Sequence, residues 1–243
     1  AIAYRIDQGF DHFKVALSIG VMKMVRSDLD ASGVMFTLDT ESGFRDVVLI
    51  TGAYGLGENV VQGAVDPDEF YVHKPTFQQG YRAVLRRTLG KKKIKMVYAH
   101  ASIGVTTRNM PTPKADQERF CISDADVLIL ADYAIKVENH YSERAGLPRP
   151  MDIEWARDGV DGQLYLVQAR PETVASQHAI TKLEDYHLNG RGEILVTGRS
   201  VGEKIASGRA RVIPDVRHIA EFQPGEILIT DMTTPDWGPV LKI

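Results

Sequence analysis

The sequence has one cysteine, Cys121, in 243 residues, which excludes an internal disulfide and any thiolate-rich zinc site. It lacks an apolar run of the roughly 18–20 residues needed to span a bilayer, so no membrane segment is expected. It also lacks an excess of positive charge: 29 Lys+Arg against 32 Asp+Glu give −3. That balance argues against a nucleic-acid-binding domain, which is usually basic. No signal peptide is expected, since Arg5, Asp7, Asp11 and Lys14 interrupt the apolar positions of the first 20 residues. A reducing, cytoplasmic setting follows as the expectation. The seven histidines (His12, His73, His100, His140, His178, His187 and His218) show no metal-ligand spacing. Internal repeats and low-complexity tracts are absent too. The first residue is not Met, which hints at a processed or partial chain. What is present, 44% hydrophobic and 25% charged residues, is the composition of a globular protein with one large domain or two smaller ones.

Patterning predicts a mixed α/β first domain. Strands are expected at 15–25, 33–38, 46–51 and 69–73, with a short helical stretch at 58–62. Segments 83–89 and 94–99 read as a hairpin around Gly90, and 100–113 as a loop without periodicity. The clearest helix is 124–144, with Val127, Leu130, Ala131, Ala134, Ile135 and Val137 in one stripe and Ser123 or Asp124 as N-cap. Strands at 151–156 and 163–169 flank the turn-rich DGVDG. Polar residues 172–191 read as a linker, followed by short strands at 193–197, 210–213 and 226–230 and a short helix after Thr234-Pro235.

The 151–170 hairpin carries the most informative polar residues. Along MDIEWA, Met151, Ile153 and Trp155 share one face while Asp152 and Glu154 share the other. In YLVQAR, Gln168 and Arg170 also share a face. A turn centred near Asp161 sets Glu154 opposite Gln168 and Asp152 opposite Arg170. Carboxylate and amide oxygens suit Mg²⁺, which commonly combines protein carboxylates with substrate phosphates. A guanidinium suits bidentate phosphate contact. The bland alternative, a solvated sheet face with a cross-strand ion pair, is the commoner outcome for such a pattern.

The glycine-rich TGAYGLGENVVQG matches neither phosphate-binding fingerprint. No Lys-Ser or Lys-Thr follows its glycines, and Val60 stands where a dinucleotide turn needs its last glycine. A structural loop is the better reading. The cluster Arg86, Arg87, Lys91, Lys92, Lys93 and Lys95 has no interleaved aromatics and reads as a solvated, lysine-protected hairpin edge. Cys121 has no visible activating partner and reads as a buried or inert thiol.

Several long runs occur together in one order: VRSDLDASGVMFTLDTESGF, GAYGLGENVVQGAVDPDEFYVHKP, RPMDIEWA, LYLVQARPET and ITDMTTPDWGPVLK. In that order they resemble the phosphoenolpyruvate synthases (pyruvate, water dikinases) over residues 4–242. The resemblance implies a partial ATP-grasp nucleotide-binding domain over 1–175, its amino-terminal lobe missing. A linker at 176–190 and the start of a swivelling, PEP-utilising phosphohistidine domain at 191–243 would follow. It implies conversion of ATP, pyruvate and water to AMP, phosphoenolpyruvate and phosphate through a phosphohistidine. Such an enzyme would act in gluconeogenesis.

By position, the resemblance makes Glu154 and Gln168 the metal- and ATP-binding residues and Arg170 the catalytic phosphate-contacting arginine. The resemblance also implies that the strand around Met24 and Val25 borders adenine through its backbone. Met22 stands where the family often has glutamine, and Gly238 replaces a common Glu. The family's Gly-Gly-x-x-x-His segment and its pyruvate-binding barrel do not occur in these 243 residues. The expected partners are therefore Mg²⁺ and ATP, with pyruvate bound outside the segment, and the segment alone is expected to be inactive. Whether the parent is a homo-oligomer is left open. Rival readings are another dikinase-type phosphotransferase, such as a pyruvate, phosphate dikinase or an antibiotic-modifying relative, or a nucleotide-binding module without catalysis.

Overall fold

The computed structural model describes residues 2–7, 9–14, 16, 19–99, 106–173, 189–190, 192–194, 205–231, 233, 237–238 and 240–241. The chain divides into two compact units, Ala1–Lys182 and Leu183–Ile243.

In the first unit the elements run α1 (Ile2–Asp7), β1 (Ala31–Phe36), β2 (Val47–Tyr54), α2 (Glu58–Val61), β3 (Asp68–His73), α3 (Lys74–Gln78) and β4 (Val84–Thr88). They continue with β5 (Ile94–Tyr98), β6 (Thr107–Pro111), α4 (Lys114–Gln117), α5 (Asp124–Ala145), β7 (Met151–Arg157) and β8 (Leu164–Pro171). Six strands form one antiparallel sheet in the order β4-β3-β2-β1-β7-β8, and β5 pairs with β6 in a separate ribbon.

Helix α5 covers one face of the sheet. Its start is fixed by a capping box between Ser123 and Asp126, and its end by Gly146 in the left-handed conformation (φ 67°). Val127, Leu130, Ala131 and Ala134 pack on Met35, Ile50, Phe70, Ile153 and Trp155, all buried. Full burial of one such side chain contributes about 1.5–3 kcal/mol. Because side chains alternate, the opposite sheet face carries Ser32, Val34 and Phe36, in register with Ala156, Glu154 and Asp152. The mixed α/β architecture expected from the sequence is the one found.

Four local expectations fail. Residues 19–26 form no strand: Val21 and Met22 are 97% and 74% exposed, and no described strand pairs with the segment. Apolar composition without a hydrogen-bonding partner does not make a strand. Segments 83–89 and 94–99 are not a hairpin, because β4 adds to the edge of the sheet while β5 leaves it for the ribbon. Residues 107–111 are a strand, not a loop. The basic cluster is not uniformly solvated, since Lys92 is fully buried. The remainder of 15–25 and of 100–113 lies outside the described residues.

The second unit has two described strands, β9 (Arg209–Val212) and β10 (Glu226–Ile229), paired in parallel. Arg211 forks onto Glu226 at 3.0 and 2.7 Å, and a 3₁₀ turn at Val216–Glu221 is capped by Asp215. Residues 193–194 are not strand, while the rest of 193–197 and the start of the helix expected after Thr234-Pro235 lie outside the described residues.

Candidate functional site

The sheet face turned away from α5 opens on a cavity of about 560 Å³. Met22, Lys23, Met24 and Val25 form one wall; Leu56, Gly57 and Glu58 form another. Tyr98, Glu154 and Val167 complete it. A second hollow of about 440 Å³ lies one register step along β7, between Phe36, Thr40, Asp152 and Arg170.

The irregular wall is held by side-chain contacts and an isolated backbone hydrogen bond rather than by a strand ladder. Arg26 forks onto Asp28 at 2.8 Å and the Gly159 N–H donates to the Arg26 carbonyl at 3.1 Å. Lys23 pairs with Asp161 at 3.8 Å, and the Tyr98 hydroxyl meets Met24 Sδ at 3.0 Å. Asp161 is held below its ordinary pKa, first by the Gln163 N–H and then by the Tyr165 hydroxyl at 2.7 Å.

The opposite wall follows from glycine chemistry. At φ 90°, Gly55 lies against the Met96 backbone so closely that a Cβ would collide with it. The approach lets the Leu56 N–H donate to the Met96 carbonyl at 2.9 Å, while the Ser32 hydroxyl donates to the Gly55 carbonyl at 2.6 Å. The turn delivers Gly57 and Glu58 to the cavity, with Glu58 accepting from Gln62 at 2.9 Å. The glycine-rich stretch is therefore both a structural turn and a cavity wall.

Across the hairpin, Glu154 stands opposite Gln168 and Asp152 opposite Arg170, the pairing that strand alternation implies. A bulge follows Glu154: Trp155 pairs with Leu166, leaving Val167 as the extra residue. Trp155 remains in the core, with its indole N–H donating to the Thr51 carbonyl at 3.2 Å, while Glu154 lines the cavity. Among the described residues neither the Glu154 nor the Gln168 side chain has a hydrogen-bond or ion-pair partner. Arg170, by contrast, is paired with Asp152 at 2.8 Å.

Among the described residues no group of three or more His, Cys, Asp or Glu gathers to form a closed metal cage. Two unpartnered oxygen-bearing side chains on neighbouring strands instead suit a hard cation that keeps water and ligand oxygens, as Mg²⁺ does. Met24, Val25 and Glu154 share one cavity, Gln168 sits across from Glu154, and Arg170 lines the neighbouring hollow. The pattern did not single out Ser32, Glu58 or Tyr98; the glycine spacing before Glu58 was the available signal.

No helix among the described residues is long and apolar enough to cross a membrane. Residues 1–189 match the family described as pyruvate phosphate dikinase, AMP/ATP-binding domain. Over its whole length the chain is 58% identical to a phosphoenolpyruvate synthase of Pseudomonas aeruginosa and 54% identical to one of Synechocystis, covering 30% of each. It is 51% identical to a phosphoenolpyruvate synthase of Escherichia coli, again over 30% of that protein. The chain thus spans about 30% of the length of these curated relatives.

Proposed function

Since the chain belongs to the pyruvate phosphate dikinase AMP/ATP-binding domain family, we propose that the cavity beside β7 holds Mg²⁺-bound ATP in a pyruvate, water dikinase. The observation that carries the reading is Glu154, whose side chain has no partner among the described residues and which lines that cavity, with Gln168 opposite it across the hairpin. Similarity to proteins named phosphoenolpyruvate synthase supports pyruvate as final acceptor. On this reading residues 1–175 form the nucleotide-binding part, 176–190 a linker and 191–243 the start of a phosphohistidine domain. The overall reaction takes ATP, pyruvate and water to AMP, phosphoenolpyruvate and phosphate in the cytoplasm.

Residue roles follow from position. The backbone at Met24 and Val25 borders the base, and Tyr98 and Val167 contribute apolar wall. Glu154 and Gln168 hold the cation, which when bound neutralises phosphate charge. Arg170 presents its guanidinium to a phosphate from the neighbouring hollow, while Asp152 fixes the plane of the fork. Positioning and charge stabilisation of this kind account for most of the catalysis in phosphoryl transfer.

The test is calorimetric titration of the full-length protein with ATP in the presence and absence of Mg²⁺, followed by product analysis with pyruvate. Mg²⁺-dependent binding and equal yields of AMP, phosphoenolpyruvate and phosphate are expected. ADP as the end product, or binding indifferent to Glu154→Ala, would overturn the reading.

A further inference from the structure

Lys92 is the one described non-glycine residue with positive φ (41°), and its side chain is fully buried. Its ammonium lies 2.5 Å from the carboxylate of Asp68, which is equally buried, and 2.8 Å from the Gly90 carbonyl. Asp68 also accepts from the Gly90 N–H at 2.9 Å and, through its other oxygen, from the Cys121 N–H at 2.7 Å. One ion pair therefore binds the start of β3, the crossover at 89–93 and the turn before α5.

Burial of such a pair is a poor route to stability, since apolar side chains of similar volume often serve as well. What the pair provides is direction: its hydrogen bonds reach separate backbone segments, and a left-handed lysine persists only where its surroundings over-determine it. The crossover it fixes is the point where the chain leaves the six-stranded sheet and enters the β5–β6 ribbon. Two residues into β5, Met96 receives the Leu56 N–H at 2.9 Å, and at its end Tyr98 lines the cavity. Asn59 on α2 donates to Asn109 on β6 at 2.7 Å, tying the ribbon to the Leu56–Glu58 wall.

We propose that Asp68 and Lys92 are positioning residues for nucleotide binding: their buried pair sets the β5–β6 ribbon, and with it Tyr98 and the Leu56–Glu58 wall, against the cavity. The inference rests on the cavity being the nucleotide site. A Lys92→Met variant leaves a lone buried carboxylate and is expected to lose stability. The Asp68→Asn/Lys92→Met double variant leaves no lone buried charge but loses the directional contacts. Lys74→Met is the control, because it breaks a largely buried pair with Glu138 on α5 that does not touch the ribbon.

In the full-length protein, the double variant is expected to bind ATP about ten- to a hundredfold more weakly, as misplacement of a site wall implies. Lys74→Met should retain parental affinity in its folded fraction. Hydrogen exchange, which does not depend on nucleotide, should speed up at 94–98 and 107–111 in the double variant while β7 and β8 stay protected. Parental ATP affinity with unchanged ribbon exchange in the double variant would overturn the proposal, as would an equal loss of affinity in Lys74→Met. If the parental protein binds no ATP, the nucleotide reading fails, and altered or unaltered ribbon exchange still decides the structural half.

Discussion

A single carboxylate oxygen of Asp152 receives both Nε and Nη2 of Arg170, each at 2.8 Å. The arginine side chain is 66% exposed and the aspartate 14%, so the carboxylate is the fixed partner and the guanidinium the accessible one. Among the described residues Nη1 has no partner, so it can meet an anion without breaking the fork. An Arg170→Lys ammonium cannot hold Asp152 and present a planar fork at once. Phosphohistidine formation in the full-length protein should fall on the order of 10²–10³-fold, the cost of one preorganised charge-stabilising contact. The thermal midpoint should barely move, because an exposed ion pair contributes little to stability. Near-parental phosphohistidine yield in a rapid-quench assay would remove Arg170 from the mechanism.

Glu154 presents the opposite balance. It has no ionic partner among the described residues, so Glu154→Ala breaks no contact that holds the fold. Chemical denaturation should give a stability within about 0.5 kcal/mol of the parent. Mg²⁺-dependent ATP binding, read by calorimetry, should disappear. A large stability loss with binding retained would make the side chain structural.

The hairpin that carries these residues was legible because its information is local. Alternation in MDIEWA and YLVQAR sets the faces, DGVDG sets the turn, and no distant partner is needed to place Glu154 opposite Gln168. Helix α5 was legible for the same reason, from a 3.6-residue stripe and a capping Ser123. The ribbon was not. Thr107–Pro111 has no apolar alternation, and nothing near Gly90 announces that Lys92 turns inward to an aspartate 24 positions earlier. The bulge at Val167 was invisible too, since two-versus-one pairing depends on the partner strand. Non-local pairing, rather than composition, marks the boundary of what the sequence reveals.

Gly52 tests how tightly the core is built behind the site. A Cβ there would stand 2.8 Å from the Trp155 ring and 3.1 Å from Cys121 Sγ. Both neighbours are buried, so neither can swing into solvent. Gly52→Ala should cost about 1–3 kcal/mol through overpacking. Gly20→Ala, in open surroundings, should be near neutral on the same urea titration. Equal midpoints for the two variants would show that Trp155 repacks freely.

Cys121 supplies a pH-dependent signature of the same core. Burial pushes its thiol pKa well above the ordinary value, and the Asp68 carboxylate adds to the shift while Lys92 opposes it. In the native state the proton therefore stays on sulfur at pH values where the unfolded thiol, with a pKa of about 8.5, has already lost it. The unfolded state then binds fewer protons, so stability is fully present below that pKa and declines as pH rises beyond it. The decline can reach about 1.4 kcal/mol per pH unit for one proton. Cys121→Ala removes this contribution, so the difference in unfolding free energy between parent and variant should narrow as pH is raised from about 8 to 9.5. A thiol reagent such as DTNB should react slowly with the native parent at pH 8 and at once when guanidinium is added. Rapid native-state labelling, or a stability difference flat across that window, would show that the thiol is not held in the protonated form by this core.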